Sequence, residues 1–79
     1  MAAKYTYKQG QYLTFIHLYT KLHKRPPAEL DIQRYFQTTP PSVHQMILTL
    51  GARGLISRIP WTPRSIQALV PKEELPELD

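Results

Sequence analysis

The chain has 79 residues and no cysteine, which suits a single domain with one core and excludes disulfides and thiolate metal sites. Hydrophobic residues make up 42% and charged residues 20%, a balance typical of a globular rather than a disordered chain. The apolar runs are too short to span a membrane, and the N-terminus lacks the apolar stretch of a signal peptide. We therefore expect a cytoplasmic protein with no membrane partner.

The net charge of +4 is unevenly distributed along the chain. Residues 1–71 hold nine of the ten basic residues and two acidic ones, whereas residues 72–79 hold one lysine and four acidic residues. A basic body suits a polyanion such as nucleic acid, although the same charges also serve solubility. We expect residues 1–71 to form the folded domain and residues 72–79 to form an acidic flexible tail or the start of a linker.

Hydrophobic periodicity predicts three helices, separated by proline-rich turns. The first covers 6–23 and has Thr6 in a suitable N-cap position. The second covers 28–36 and carries acidic residues in its first turn, where the helix dipole favours them. The third covers 42–53 and is followed by Gly54, a residue type typical of the position just past a helix.

After Gly54 the pattern changes to β-branched residues in approximate alternation. This change predicts an antiparallel hairpin with strands at 55–59 and 64–69, joined by a proline-rich turn. Two helices joined by a short turn and followed by a hairpin form a three-helix winged helix-turn-helix. The predicted class is thus mainly α with a small β-hairpin (α+β). In this fold the third helix enters the DNA major groove, and the wing lies on the backbone or in the minor groove.

The predicted core follows from the helix faces and the strand alternation. Its members are Phe15, Ile16, Tyr19, Ile32, Phe36, Val43, Ile47, Leu50, Leu55 and Ile66. The aromatic residues could also be read as a set that stacks on RNA bases, but their helical spacing favours the core. Leu13, Leu18 and Leu48 fall off these faces and are expected to be exposed.

The candidate DNA contacts lie on the third helix and around the wing. The candidates for base contact are polar residues on the outer face of the third helix: Ser42, His44, Gln45 and Thr49. The candidates for contact with the DNA backbone are Lys8, Thr39, Arg53, Arg58 and Arg64. Trp61, at the wing tip, has three interpretations: insertion into a minor groove, docking on a partner, or folding back on its own hairpin.

The sequence offers no support for metal or catalytic chemistry. No two of His17, His23 and His44 are four residues apart, so no helical metal site is predicted. There is no glycine-rich phosphate loop, and the serine and histidine residues fall on separate short elements. We expect neither an enzyme nor a cofactor nor a small-molecule substrate.

Three stretches, in order and nearly without gaps, resemble the N-terminal winged-helix domain of the LexA repressor family. They are Thr6 to Pro27, with Phe15-Ile16, Tyr19 and Pro26-Pro27; Ser-Val-His-Gln-Met-Ile-Leu-Thr-Leu at 42–50; and Arg-Gly-Leu-Ile at 53–56 followed by Arg58, Pro60, Pro63-Arg64 and Ile66. The resemblance implies DNA binding and transcription regulation. The family's C-terminal Ser-Lys self-cleaving and dimerising domain has no counterpart in these 79 residues, so no self-cleavage is expected. Pro41 stands where that family can carry a base-reading residue, so the usual target is not implied.

Two functions therefore remain open. The first is a sequence-preferring protein that binds double-stranded DNA and regulates transcription. The alternative is a protein-interaction winged helix without intrinsic DNA specificity, which would use Leu13, Leu18, Leu48 and Trp61. A homodimer and a complex with a partner protein are both compatible with either function. Only DNA binding should depend steeply on salt, because only it releases counterions.

Overall fold

The computed structural model describes residues 4–79, which form three helices followed by a small hairpin. The elements are α1 (Tyr7–His23), α2 (Glu29–Phe36), α3 (Pro40–Ala52), β1 (Ile56–Ser57), β2 (Gln67–Ala68) and a 3-10 turn (Lys72–Glu74). The strands pair antiparallel, with Ile56 opposite Ala68. The predicted winged helix is confirmed, and residues 1–3 of the predicted domain lie outside the described residues. Within residues 4–79, no helix is long and apolar enough to cross a membrane.

The first two helices differ in how their N-termini are capped. The Thr6 hydroxyl accepts the Gln9 N–H at 3.2 Å, and the Gln9 side chain accepts the Thr6 N–H at 2.9 Å. This reciprocal capping box confirms Thr6 as the N-cap. Ala28 has no side-chain acceptor to offer α2, but the Asp31 carboxylate accepts the Ala28 N–H at 2.8 Å. Of the two hydrogen bonds of a capping box, α2 therefore has only the one from the Ala28 N–H to Asp31.

Helix α3 begins two residues earlier than the predicted 42. The Thr39 hydroxyl accepts the Ser42 N–H at 3.3 Å and so caps the helix. Pro40 then takes the first helical position, where the N–H that proline lacks would have no partner anyway. At the other end Gly54 has a φ of 71°, which confirms it as the residue past the helix that takes the left-handed conformation.

The core lies where the three helices meet the hairpin. Its buried residues are Tyr12, Leu13, Phe15, Ile16, Ile32, Val43, Ile47, Leu50, Leu55, Ile56, Ile66 and Val70. Of the predicted core, only Tyr19 and Phe36 are partly rather than fully buried, and both pack against it. The expectation that Leu13 is exposed was wrong, since its exposed fraction is 0%. Helix α1 contacts both α2 and β2, so more than one of its faces is covered.

The strands are shorter than the predicted 55–59 and 64–69. The two prolines of the loop have no N–H for a ladder, and Trp61 and Arg64 take positive φ values of 63° and 56°. Ser65 replaces part of the missing ladder: its hydroxyl accepts the Ile59 N–H at 2.9 Å and lies 3.1 Å from the Ile59 carbonyl oxygen. The wing, defined as residues 58–66, is therefore an ordered loop rather than a strand pair.

Residues 75–79, which we call the strap, lie along α1 instead of forming the expected flexible tail. The Gln11 side chain donates to the Glu77 carbonyl at 2.9 Å and accepts the Asp79 N–H at 2.8 Å. The Thr14 hydroxyl donates to the Pro76 carbonyl at 2.9 Å. Leu75 and Leu78 of the strap pack against the core. The charge pattern suggested a solvated tail, but these two leucines and the polar groups of α1 hold the segment in place.

The turn before the strap is held by the start of the chain. The Lys4 ammonium lies 2.8 Å from a Glu74 carboxylate oxygen, and the Tyr5 hydroxyl donates to the Glu74 carbonyl. Gly10 permits the close approach, because a Cβ there would lie 2.8 Å from the Tyr5 ring and 3.1 Å from Pro76. The acidic end of the sequence is thus fixed beside the N-terminal half of α1.

Candidate nucleic-acid interface

The outward face of α3 is uncovered and carries all four of the candidate base-contact residues. Because an α-helix advances about 100° per residue, the exposed face runs in this order: His44, Leu48, Pro41, Gln45, Thr49 and Ser42. Ser42, His44 and Gln45 are exposed, while Thr49 is half-buried. The opposite face is fixed in the core by Val43, Ile47 and Leu50. The register of α3 therefore leaves Pro41 and Gln45 near the middle of the free face, with Leu48 beside Pro41.

This face lies between two other parts of the molecule. On one side, Gln9 of α1 lines a shallow groove together with Ser42, Gln45 and Thr49. On the other side, His44 lines a groove of about 550 Å³ with the start of α2 and the wing. A ligand laid across α3 would therefore meet the N-terminal part of α1 at one edge and the wing at the other.

The polar groups of this face differ in how far they are already engaged. The Thr49 hydroxyl donates to the Gln45 carbonyl at 2.9 Å, and the Thr39 hydroxyl donates to the Ser42 hydroxyl at 2.9 Å. His44 Nδ1 lies 3.4 Å from a Glu29 carboxylate oxygen. The Gln45 side-chain amide has no hydrogen-bond partner among residues 4–79 and is free to bind a ligand through both of its polar atoms.

Arg64 holds the wing against the helices. Its guanidinium lies 3.0 Å from the Asp31 carboxylate and 3.2 Å from the Tyr19 hydroxyl, and it also reaches the Pro26 carbonyl at 3.4 Å. Contacts with α1, α2 and the turn between them fix the base of the wing. The sequence marked Arg64 as a candidate for DNA backbone contact, whereas the structure gives its guanidinium partners inside the protein.

The other cations occupy three different surroundings. Arg53 donates to the Gln9 side chain at 3.1 Å and to the Lys4 carbonyl at 2.7 Å, and so ties the end of α3 to the start of α1. Lys8 lines a separate groove, together with Tyr35 and Asp79. Arg58, half-buried on the wing, makes no ion pair with any residue of the described chain.

The pKa of Asp31 is set by opposing effects. Burial raises the pKa of its carboxyl group, but the Ala28 N–H and the Arg64 guanidinium oppose this, and the pKa lies below its ordinary value of 3.8. The pKa of the Arg64 guanidinium is raised, because the Tyr19 hydroxyl and the Asp31 carboxylate favour its charged form. The ionised carboxylate therefore stabilises the fold, because it caps the start of α2 and also binds Arg64 of the wing.

We expect Asp31→Asn to lower the free energy of unfolding at pH 7 by about 1 kcal/mol, since the helix cap is weakened. A lowered pKa in the folded state gives stability that is present above pH 3.8 and is lost as the pH falls through the folded-state value. Between pH 7 and pH 3, thermal unfolding should show that Asp31→Asn loses less stability than the wild type. Glu73→Gln, at an exposed carboxylate, is the control. Equal losses in Asp31→Asn and wild type would contradict this role.

Trp61 extends from the wing tip into solvent. Its exposed fraction is 100%, so the indole does not fold back on the hairpin. Ile59 beside it is also exposed. Of the three interpretations of Trp61, insertion into a minor groove and docking on a partner remain.

Sequence reasoning left two outward residues of α3 out of the candidate contacts. Leu48 was expected to be exposed and was assigned to a protein-docking surface, and Pro41 was noted only as standing where the resembling family can carry a base-reading residue. Both lie on the free face beside Gln45. The signal was available, because the core spacing of Val43, Ile47 and Leu50 fixes which residues face outward. The described chain brings no three residues of the metal-ligating types together.

Comparison with known proteins relates the chain to repressors. It is 37% identical over 71 residues to the LexA repressor of Thermosipho melanesiensis, a match that covers 90% of this chain and 35% of that protein. It is 36% identical over 69 residues to the LexA repressor of Thermosipho africanus, covering 87% and 34%. No family model matches the chain. The chain thus spans about a third of the length of these relatives, and the resemblance carried by its motifs is confirmed.

Proposed function

Because the chain is related to the LexA repressors over nearly its whole length, we propose that it binds double-stranded DNA and regulates transcription. In this proposal α3 lies in the major groove, and the wing lies on the phosphate backbone or in the minor groove. The observation that carries it is the free face of α3, with an unengaged Gln45 amide at its centre and the wing at its edge.

The chemistry of this face suits base edges. A free glutamine amide can pair with N6 and N7 of adenine, and an apolar side chain such as Leu48 can contact the thymine methyl group. Ser42, His44 and Thr49 are proposed to make further contacts at the two edges of the face. Neither α3 nor the segment 53–71 contains an acidic residue, so neither repels phosphate.

Contacts with the DNA backbone are proposed for the cations and for Thr39 at the N-terminus of α3. Arg58 is the wing cation that makes no ion pair with residues 4–79, and it is the proposed phosphate contact there. Thr39 is the proposed backbone contact at the N-terminus of α3, where its hydroxyl and the helix dipole favour an anion; the helix offers no free N–H there, because Pro40 and Pro41 have none and the Ser42 N–H is bonded to Thr39. Arg53 and Arg64 are proposed to position the protein while their remaining N–H groups face phosphate. Lys8, which lines a separate groove with Tyr35 and Asp79, is proposed as a further backbone contact.

A single module of this size offers limited contact with DNA, and specific binding by such modules commonly uses paired half-sites. We propose that two copies, or this chain and a partner protein, share one operator. The protein-interaction alternative has less support than the sequence suggested, because Leu13, one of its four apolar residues, lies in the core. Leu18, Leu48 and Trp61 remain available to it.

The test is a titration of labelled DNA at two salt concentrations, using a site selected from random sequence and a scrambled duplex. Arg58→Ala should weaken binding to both duplexes about equally and reduce the salt slope by about one phosphate contact. Gln45→Ala should weaken binding to the selected site by about 1–3 kcal/mol, while the salt slope stays nearly unchanged.

Lys21→Ala, an exposed cation in the last turn of α1, is the matched control for lost charge and should change neither quantity. Absence of DNA binding by the wild type at low salt would refute the proposed function. If Leu18→Asp then broke a complex with another protein, the interaction alternative would replace it.

A further inference from the structure

The wing tip combines two features that are unfavourable in the free protein. Trp61 has a φ of 63°, in the left-handed region that bulky side chains rarely adopt. Its indole is also fully exposed to water. Neither the strain nor the exposure is offset by a contact of the indole within the described chain. A backbone outlier of this kind, held by its surroundings, points to a function of the side chain it presents.

The surroundings of Trp61 hold it in place. The Thr62 N–H donates to the Ile59 carbonyl at 3.1 Å and closes a turn around the tip. The Ser65 hydroxyl lies 2.9 Å from the Thr62 carbonyl oxygen and also bonds to Ile59. Arg64 fixes the end of the loop to α1 and α2. The indole is therefore presented by a preorganised loop, which reduces the entropy lost when it binds.

The position and the charge of the wing indicate what the indole meets. The wing and His44 of α3 line the same groove, so a duplex contacted by α3 passes beside the wing. The segment 53–71 carries three arginines and no acidic residue, which favours a polyanion over a neutral or basic protein surface. Proteins that approach the minor groove commonly insert apolar side chains between base steps. Ile59 adds a second exposed apolar side chain next to the indole.

We propose that Trp61 is inserted as an aromatic wedge into the minor groove of the DNA that α3 contacts. This inference rests on the proposed DNA binding and goes further, because it assigns part of the affinity and of the sequence preference to one uncharged wing residue. The exocyclic amino group of guanine occupies the minor groove, so the wedge should favour steps rich in A·T pairs.

The fluorescence of the wild-type protein reports on the wedge directly, because Trp61 is the only tryptophan. On titration with the selected duplex, its emission should change and its quenching by acrylamide should fall. If the duplex binds while emission and quenching stay unchanged, the wedge is refuted and the proposed function survives. If no duplex binds at low salt, the proposed function fails and the wedge fails with it. Protection that rises with protein concentration without DNA would assign Trp61 to a contact between copies and overturn the wedge.

Two substitutions separate the wedge from a structural role. Trp61→Gly should fold at least as stably as the wild type, because glycine adopts a positive φ without strain. It should nevertheless bind the selected duplex about tenfold more weakly, with the salt slope unchanged, because a stacked aromatic side chain is lost. Trp61→Phe should retain most of the affinity. Leu22→Ala, at another exposed apolar residue, is the control and should bind normally. Normal binding by Trp61→Gly would overturn the proposal.

Inosine in place of guanine tests the groove itself, since it removes the amino group from the minor groove and leaves the major-groove edge unchanged. The substitution should strengthen binding by the wild type more than binding by Trp61→Gly. An equal change in both proteins would show that Trp61 does not enter the minor groove.

Discussion

Phe15→Ala is expected to lower the free energy of unfolding by about 3–5 kcal/mol, because it removes a large buried side chain and leaves a cavity. Phe15 lies between α1 and α2, with its ring centroid 4.7 Å from that of Tyr35 and 5.7 Å from that of Phe36. A domain of this size has a total stability on the order of 5 kcal/mol. The variant should therefore be largely unfolded near room temperature, as measured by urea denaturation followed by circular dichroism.

The control for this change is Leu22→Ala in the same helix. Leu22 has an exposed fraction of 77%, so its removal should shift the stability by no more than about 0.5 kcal/mol. A Phe15→Ala variant with a cooperative transition at the wild-type midpoint would show that the aromatic cluster between α1 and α2 does not stabilise the domain.

The helices and their inner faces could be predicted from the sequence because their signals are local. Apolar residues at helical spacing identified the buried sides of α2 and α3, and Thr6 and Gly54 marked a helix start and a helix end correctly. Leu13 was misplaced because periodicity assumes that one face of a helix is covered. Helix α1 is covered on more than one face by β2 and the strap, and no local pattern reveals partners so distant in sequence.

The candidate site was predictable in its location but not in the roles of its arginines. The face of α3 followed from the spacing of its core residues, so Gln45 was placed outward from the sequence alone. Arg58 and Arg64 look equivalent in the sequence, since both flank the hairpin turn. Only the fold separates them, because it brings Asp31 and Tyr19 to Arg64 and leaves Arg58 without an ion pair among residues 4–79.

Because of this difference, Arg58→Ala and Arg64→Ala should affect the proposed DNA binding in different ways. Arg64→Ala removes the tie between the wing and the helices, so its effect on DNA binding would combine loss of a cation with a displaced wing. Arg58→Ala removes a cation and leaves that tie in place. Arg58 is therefore the cleaner residue for the salt-slope measurement.

Removal of the strap, residues 75–79, is expected to lower the free energy of unfolding by about 2 kcal/mol, since it uncovers apolar surface and breaks several hydrogen bonds. Leu75 and Leu78 lose their contacts with the core, and the side chains of Gln11 and Thr14 lose their backbone partners. The polar groups of α1 become accessible to water, so the loss stays smaller than for a cavity in the core. Thermal unfolding of the full chain and of residues 1–74 measures it.

A double-mutant cycle with Gln11→Ala tests the geometry of the docked strap rather than its mere presence. In the full chain Gln11→Ala breaks two hydrogen bonds to the strap backbone, of 2.9 and 2.8 Å, and should cost about 1–2 kcal/mol. In the chain that ends at residue 74, the Gln11 amide faces water and its removal should cost little. The two changes should therefore be non-additive, as expected for groups in direct contact. Additive effects, or an unchanged midpoint after removal of the strap, would mean that the acidic end of the sequence does not rest on α1 in solution. The carboxylates of Glu77 and Asp79 would then be free to approach the arginines of the segment 53–71, on which the proposed contact with the DNA backbone depends.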